Sequence, residues 1–203
     1  MTRIDRHDTA WIHESTVFAG EATVGHCSRV GHDADSDDPT RLGNRVRIGA
    51  FCLVYGGAKL GDDVEVDNYC LIGSGAKIAC NTRILYKAHV YDDVTIGRNC
   101  IIGGDLVDRA VIGDNVTFQG QTAHAHPDAT GDWDETEEPS PRILSGSVVG
   151  VGAIIVGDIT IGPRAYVAAG EIVRCNVGRE MMLKDGQQNP LADYRGMFKV
   201  RDE

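Results

Sequence analysis

A six-residue period constrains this chain more than any other feature. Counting in sixes from Leu42 gives Leu42, Ile48, Val54, Leu60, Val66, Ile72, Ile78, Ile84, Val90, Ile96 and Ile102, all Leu, Ile or Val. Those three types fill 45 of the 203 positions, so eleven hits in one frame arise by chance on the order of once in ten million trials. The frame reaches back through Val30, Val24 and Phe18. It breaks after Ile102, where a four-residue step leads to Leu106, and resumes at Ile112 and Phe118. After an interruption it returns as Ile143, Val149, Ile155, Ile161, Val167 and Val173. The fourth residue after the aliphatic is small or β-branched, as at Val46, Cys52, Ala58, Val64, Cys70, Ala76, Thr82 and Cys100.

A period of six matches neither the 3.6 of a helix nor a heptad, but it contains the strand period of two. It reads as a short strand and a turn, with the aliphatic and the small residue both pointing inward. Gly, Asn or Asp then supplies the turn dihedrals. The chain holds 25 glycines and only 6% aromatic residues, which suits many tight turns around a narrow core repeated along an axis. The cysteines at 52, 70 and 100 fall on the small inward position and read as packing residues.

The consensus aliphatic-Gly-x-x-small-x resembles the hexapeptide-repeat family. That resemblance implies an all-β fold, a left-handed parallel β-helix with three strands and 18 residues per coil. Periodicity alone does not predict the hand, since parallel crossovers are ordinarily right-handed. The expected division is an N-terminal cap over 1–17, a β-helix of about eight coils over 18–177 with an extruded loop at 123–142, and a short C-terminal tail over 178–203. Trp11 and Ile12 are expected to cover the first coil. The acidic stretch 32–41 keeps the frame, so it is either a loop or two degenerate repeats.

The segment from Ala123 to Arg142 interrupts the repeat with two histidines, a tryptophan and six acids, and long loops in compact domains are usually functional. His126-Pro127, the later Pro141-Arg142-Ile143 and the returning run Val149-Gly150-Val151-Gly152-Ala153 resemble the galactoside and maltose acetyltransferases of that family. The resemblance implies transfer of an acyl group, most simply acetyl, from acetyl-CoA as co-substrate to an amine or hydroxyl of a small polar acceptor such as a sugar or amino sugar. By position His126 is the base, with His124 as the other candidate. A histidine titrates near neutrality and suits the removal of the acceptor's proton. The resemblance also implies a homotrimer, with CoA between two prisms. Gly150, Gly152, Ala153, Ala168 and Gly170 would let its pantetheine arm approach the backbone, and Arg142, Arg164 and Arg174 are candidates for its phosphates. In the loop, Asp128 and Trp133 are candidate acceptor contacts, the acids suiting a cationic acceptor and the indole a sugar ring.

Two other readings stay open. The γ-class carbonic anhydrases share the β-helix and hold zinc with three histidines; here His89 precedes His124 and His126 by about two coils. No metal is expected on the preferred reading. Some hexapeptide β-helices are instead non-catalytic scaffolds. Within the acyltransferases, the stretch Ala88-His89-Val90 resembles the lipid A enzymes, but Asp92 stands where they carry their histidine. Ser140 stands where serine acetyltransferases have a histidine. Composition removes further classes. Thirty acidic against 20 basic residues give a net charge of −10, with no basic stripe for nucleic acid. There is no run of 18 apolar residues for a membrane span. The polar Met1–Ala10 stretch and six cysteines without a CxxC pair lead to the expectation of a cytoplasmic protein.

Overall fold

Twenty-eight short strands and one 3-10 turn, Leu191–Tyr194, make up the regular structure of the computed structural model, which describes residues 3–33, 38–125 and 139–194. The strands form three sheets, here A, B and C, with eleven, nine and eight members. The chain visits A, B and C in turn, so each strand's neighbour in its sheet lies one full coil away. All pairings are parallel except the last, Met181–Lys184 with Gln187–Pro190. This is a three-sided parallel β-helix, and its geometry fits left-handed winding. Nine coils, one more than expected, give a prism roughly 40 Å long at about 4.8 Å per coil.

Most strands span two or three residues, enough for one side chain in and one or two out. Ile48, Val66, Ile84, Ile102, Phe118, Val149 and Val167 stack up the inside of sheet A, each no more than 3% exposed. Burial of each such side chain is worth about 1.5–3 kcal/mol. The small position is inward too: Cys52, Cys70 and Cys100 are buried, and burial pushes the Cys100 thiol up, which keeps it un-ionised. Every coil needs left-handed backbone at its corners, and Asp63, Asn81, Asn99 and Asn115 adopt it at φ near 60°. Matching positions on successive coils then pair across the corner. Arg45 donates to Asp63, and Arg98 to Asp114; each arginine holds its carboxyl below the usual range.

The N-terminal segment covers the end of the prism as a coil of its own. Ile4–Arg6, Trp11–Ile12 and Val17–Phe18 join sheets A, B and C in parallel with the next coil. The stretch 32–41 is an insertion rather than two repeats. Val30 pairs with Val54 and Phe18 with Leu42, each 24 residues away instead of 18. The extra six residues sit between strands Arg29–His32 and Arg41–Leu42, at the corner between sheets B and C. Thr40 returns the chain to the core, fully buried, with its hydroxyl donating to the Tyr55 carbonyl.

Coil length also changes in the middle. Ile101 pairs with Thr117 and Asp105 with Gln121, sixteen residues away in each case. The two lost residues come from the corner between sheets A and B. There only Gly103-Gly104 links Ile101–Ile102 to Asp105–Leu106, and only Gln119-Gly120 links Thr117–Phe118 to Gln121–Ala123. A Cβ on Gly104 would lie 1.8 Å from the Gly120 carbonyl oxygen, and one on Gly120 2.3 Å from that of Ala153. The two glycines let successive backbones close up, and the A–B corner is cut back over two coils. Among the described residues, no helix is long and apolar enough to cross a membrane.

Candidate functional site

The long loop leaves the prism at the corner between sheets B and C, between strands Gln121–Ala123 and Arg142–Ile143. This is the corner that also carries the six-residue insertion. His124 follows the sheet B strand directly and is half-buried. His126, Asp128 and Trp133 lie outside the described residues. On the returning side the Ser140 hydroxyl donates to the Asp108 carbonyl at 2.5 Å, which fastens the loop's end to the corner one coil below.

The small residues expected along a pantetheine path separate into two groups. Gly150, Gly152, Ala168 and Gly170 share the A–B corner of the last two coils. Gly152 and Gly170 have φ of +71° and +75°, and a Cβ there would meet nothing within 4 Å. They leave bare backbone facing open space. Gly150 is small for an internal reason, because a Cβ would lie 2.6 Å from the Ala169 nitrogen of the next coil. Ala153 is a correction. It is fully buried at the inward position of its repeat and cannot touch a bound molecule.

The arginines separate as well. Arg164 stands on the C–A corner, away from the glycine edge, and pairs with Glu180, whose carboxyl it holds below the usual range. Arg174 follows strand Ile172–Val173 and is exposed at the end of sheet B. Arg142 points outward from sheet C.

The outer face of sheet B gathers what remains. In register from coil to coil it presents Leu71, His89, Asp105, Gln121, Ile154 and Ile172. His89 Nδ1 lies 3.5 Å from Asp105 Oδ1. Gln121 Nε2 donates to Asp105 Oδ2 at 3.2 Å. This polar row borders the cut-back corner, and the glycine edge begins on the next coil. His124 lies at the opposite border of the same sheet. Of this row, the sequence singled out only His89, in the zinc and lipid A readings; Asp105 and Gln121 were not singled out. The row's signal was the four-residue step at Leu106, which sets His89, Asp105 and Gln121 sixteen residues apart and therefore in one line.

The A–B corner carries a second feature that the low aromatic content conceals. Rings stack along its first five coils: His7 on His26 at 4.6 Å, His26 on Phe51 at 5.3 Å, Phe51 on Tyr69 at 4.9 Å and Tyr69 against Tyr86 at 5.7 Å. Phe51 and Tyr69 take the left-handed corner position at φ 56° and 62°. Aromatic pairing, worth about 0.5–1.5 kcal/mol per pair, offsets the strain of that backbone.

No group of three or more His, Cys, Asp or Glu side chains that could hold a metal ion is present among the described residues. His89 and His124 lie on opposite borders of sheet B, and His126 lies outside the described residues.

A three-sided parallel coil built on a six-residue repeat places the chain in the class of hexapeptide-repeat β-helix proteins. Comparison with known proteins agrees. The family described as bacterial transferase hexapeptide (six repeats) matches residues 75–107. A serine acetyltransferase of Bacillus pumilus (strain SAFR-032) is 33% identical over 97 residues, which cover 45% of this chain and 42% of that enzyme. The chain thus spans less than half the length of that curated relative. The UDP-N-acetylglucosamine acyltransferase of Francisella novicida shares the fold, with a TM-score of 0.63 at 17% identity over 87% of this chain and 65% of that one. The repeat match and the shared fold agree with the hexapeptide-repeat β-helix seen here.

Proposed function

We propose that the protein is an acyl-CoA-dependent acyltransferase, most simply an acetyltransferase, acting on an amine or hydroxyl of a small polar acceptor. The observation that carries this reading is the pairing of two features on either side of sheet B. One is an edge of bare backbone at Gly152 and Gly170; the other is a histidine-bearing loop leaving from the opposite corner. The 33% identity to a serine acetyltransferase supports it.

The edge fits the donor. An extended pantetheine arm needs backbone with no side chains in its way, and Gly152 and Gly170 offer that. Arg174, at the end of the same face, is placed to meet a phosphate. Arg164 could serve only from a neighbouring chain, since Glu180 engages it in its own. Acyl transfer from a thioester needs a base for the acceptor's proton as nitrogen or oxygen attacks the carbonyl carbon. The family resemblance supplies His126, with His124 beside it. The acids of the loop suit a cationic acceptor such as an amino sugar. A homotrimer would set one chain's loop against its neighbour's edge.

The test is thiol release from acetyl-CoA across a panel of amines, amino sugars and sugars, with His126→Ala and His124→Ala measured alongside. Turnover with at least one acceptor is expected, with one of the two variants reduced roughly 100-fold or more in kcat. Absence of both turnover and CoA binding would rule out the enzyme. Full activity in both variants would move the base elsewhere.

A further inference from the structure

Sheet A carries a cavity that the acyl-transfer reading does not use. It is a groove of about 380 Å³ across the outer face of four coils, from Thr23 on the second to Arg83 on the fifth. Two columns of residues border it. The first runs in register through Thr23, Arg47, Glu65 and Arg83, with Ile101 next in line. The second lies two residues further along each coil, at Gly49, Asp67 and Leu85. Gly152 is three coils beyond Arg83, about 14 Å along the prism axis, so the groove stands apart from the proposed donor edge.

The first column holds more arginine than acid. Arg47 donates through Nη2 to Glu65 Oε1, and Arg83 Nε lies 3.3 Å from Glu65 Oε2. One carboxylate is therefore shared between two guanidiniums. Beyond them in register stand Thr23 and Ile101, which carry no charge. A guanidinium has five N–H donors, and those left on Arg47 and Arg83 meet no other partner among the described residues. The corner arginines differ. Arg45 gives two hydrogen bonds to Asp63, and Arg98 gives two to Asp114, one acid to each base. Where arginine only ties one coil to the next, it has a whole carboxylate to itself.

We propose that this groove binds a small metabolite through its phosphate or carboxylate group, held by Arg47 and Arg83. The planar fork of arginine matches either oxyanion. Glu65 shows that one carboxylate reaches both guanidiniums, so an incoming oxyanion of similar size can do the same. Glu65 is then the built-in competitor, and yields a donor as the oxyanion enters. The volume falls at the small end of ligand sites and exceeds what a bare ion fills. Leu85 supplies an apolar wall beside Arg83, and Gly49 brings no side chain beside Arg47. Asp67 accepts the Asn68 N–H at 2.7 Å with one oxygen; the other suits a hydroxyl or amine of the same molecule. The side chains of Arg47 and Arg83 are 65% and 59% exposed, so both are open to a solute. Screening by water keeps such contacts modest, and affinity in the roughly millimolar range is expected.

The experiment titrates the full chain at low ionic strength with inorganic phosphate and, separately, with malonate, read by calorimetry. Saturable binding of at least one by roughly 10 mM is expected. Phosphate alone identifies a phosphorylated metabolite and malonate alone a carboxylic acid; either supports the site. Arg47→Ala and Arg83→Ala should each weaken binding roughly tenfold. Glu65→Gln releases both guanidiniums and should tighten it about 3–10-fold. Arg45→Ala removes the same charge from a corner and should leave affinity within about twofold of wild type. None of these side chains belongs to the core, so the unfolding midpoints should stay close to wild type. No binding of either anion by roughly 10 mM would overturn the proposal. So would equal losses in Arg45→Ala and Arg47→Ala, which would mark a diffuse charge effect, or a Glu65→Gln protein that binds no tighter than wild type. The readout uses neither acetyl-CoA nor acceptor, so its failure leaves acyl transfer standing.

Discussion

At the scale of single residues, the closest backbone approach among the described glycines is at Gly104. Gly57, Gly75, Gly152 and Gly170 take the left-handed corner position, which asparagine also fills, as Asn81 and Asn99 show. Gly104 has no such freedom, because a single added carbon would stand 1.8 Å from a backbone oxygen of the next coil. Backbone cannot rotate away as a flexible side chain can, so two coils must separate to admit it. Gly104→Ala should destabilise the protein by about 1–3 kcal/mol and lower the unfolding midpoint by several degrees. An unchanged midpoint by calorimetry would show that the close approach is not maintained in solution. Residue identity was most legible where it followed the frame. Ile102, Phe118 and Ile143 are inside as the sixes require. Ala153 shows the opposite hazard: it is the fourth residue after Val149, an inward position by the repeat's own grammar, and only the resemblance suggested a ligand contact.

At the scale of elements, corners rather than strands distinguish one coil from another. A strand of two residues has no room for variation, whereas a corner can lengthen, shorten or exchange its left-handed residue without disturbing the core. The sequence shows a shortened corner directly, as a break in the count of sixes at Leu106. It conceals a corner lengthened by six, because the frame then stays intact, and stretch 32–41 could not be assigned for that reason. The same logic predicts what can be removed. Asp33 already has the left-handed φ, at 55°, and Thr40 already fills the small inward position. Excising residues 34–39 joins the two and leaves the four-residue corner Gly31-His32-Asp33-Thr40, equivalent to Val107–Ala110 with Arg109 at φ 60°. The ion pairs of Asp38 with Lys59 and Arg41 are lost, and exposed pairs of this kind contribute about 0–1 kcal/mol. The shortened protein should unfold cooperatively within a few degrees of the parent. Failure to fold would mean that the insertion is required for pairing between the second and third coils.

At the scale of the whole molecule, a coil has two open ends and three faces, and function depends on what those faces meet. The N-terminal segment and the hairpin Met181–Lys184 with Gln187–Pro190 occupy the ends. On the faces, charge is spread in ladders such as Arg47–Glu65–Arg83 on sheet A, which suits solvent. Near the glycine edge the character changes, with Val151 64% and Ile172 53% exposed. These exposed aliphatics continue the exposed ring ladder of Phe51, Tyr69 and Tyr86 along the same A–B corner. An edge of bare backbone also gives a pantetheine arm only one wall. Both features are accounted for if a second copy of the chain supplies the other wall, as the trimer expected from the resemblance would. The prediction is a sedimentation mass three times the 21.9 kDa of one chain, with CoA binding that falls away on dilution together with that mass. Val151→Glu combined with Ile172→Glu leaves every buried residue in place, so the coil should fold normally while association and CoA binding are lost together. A monomeric double variant that still binds CoA with wild-type affinity would show that one prism holds the whole donor site.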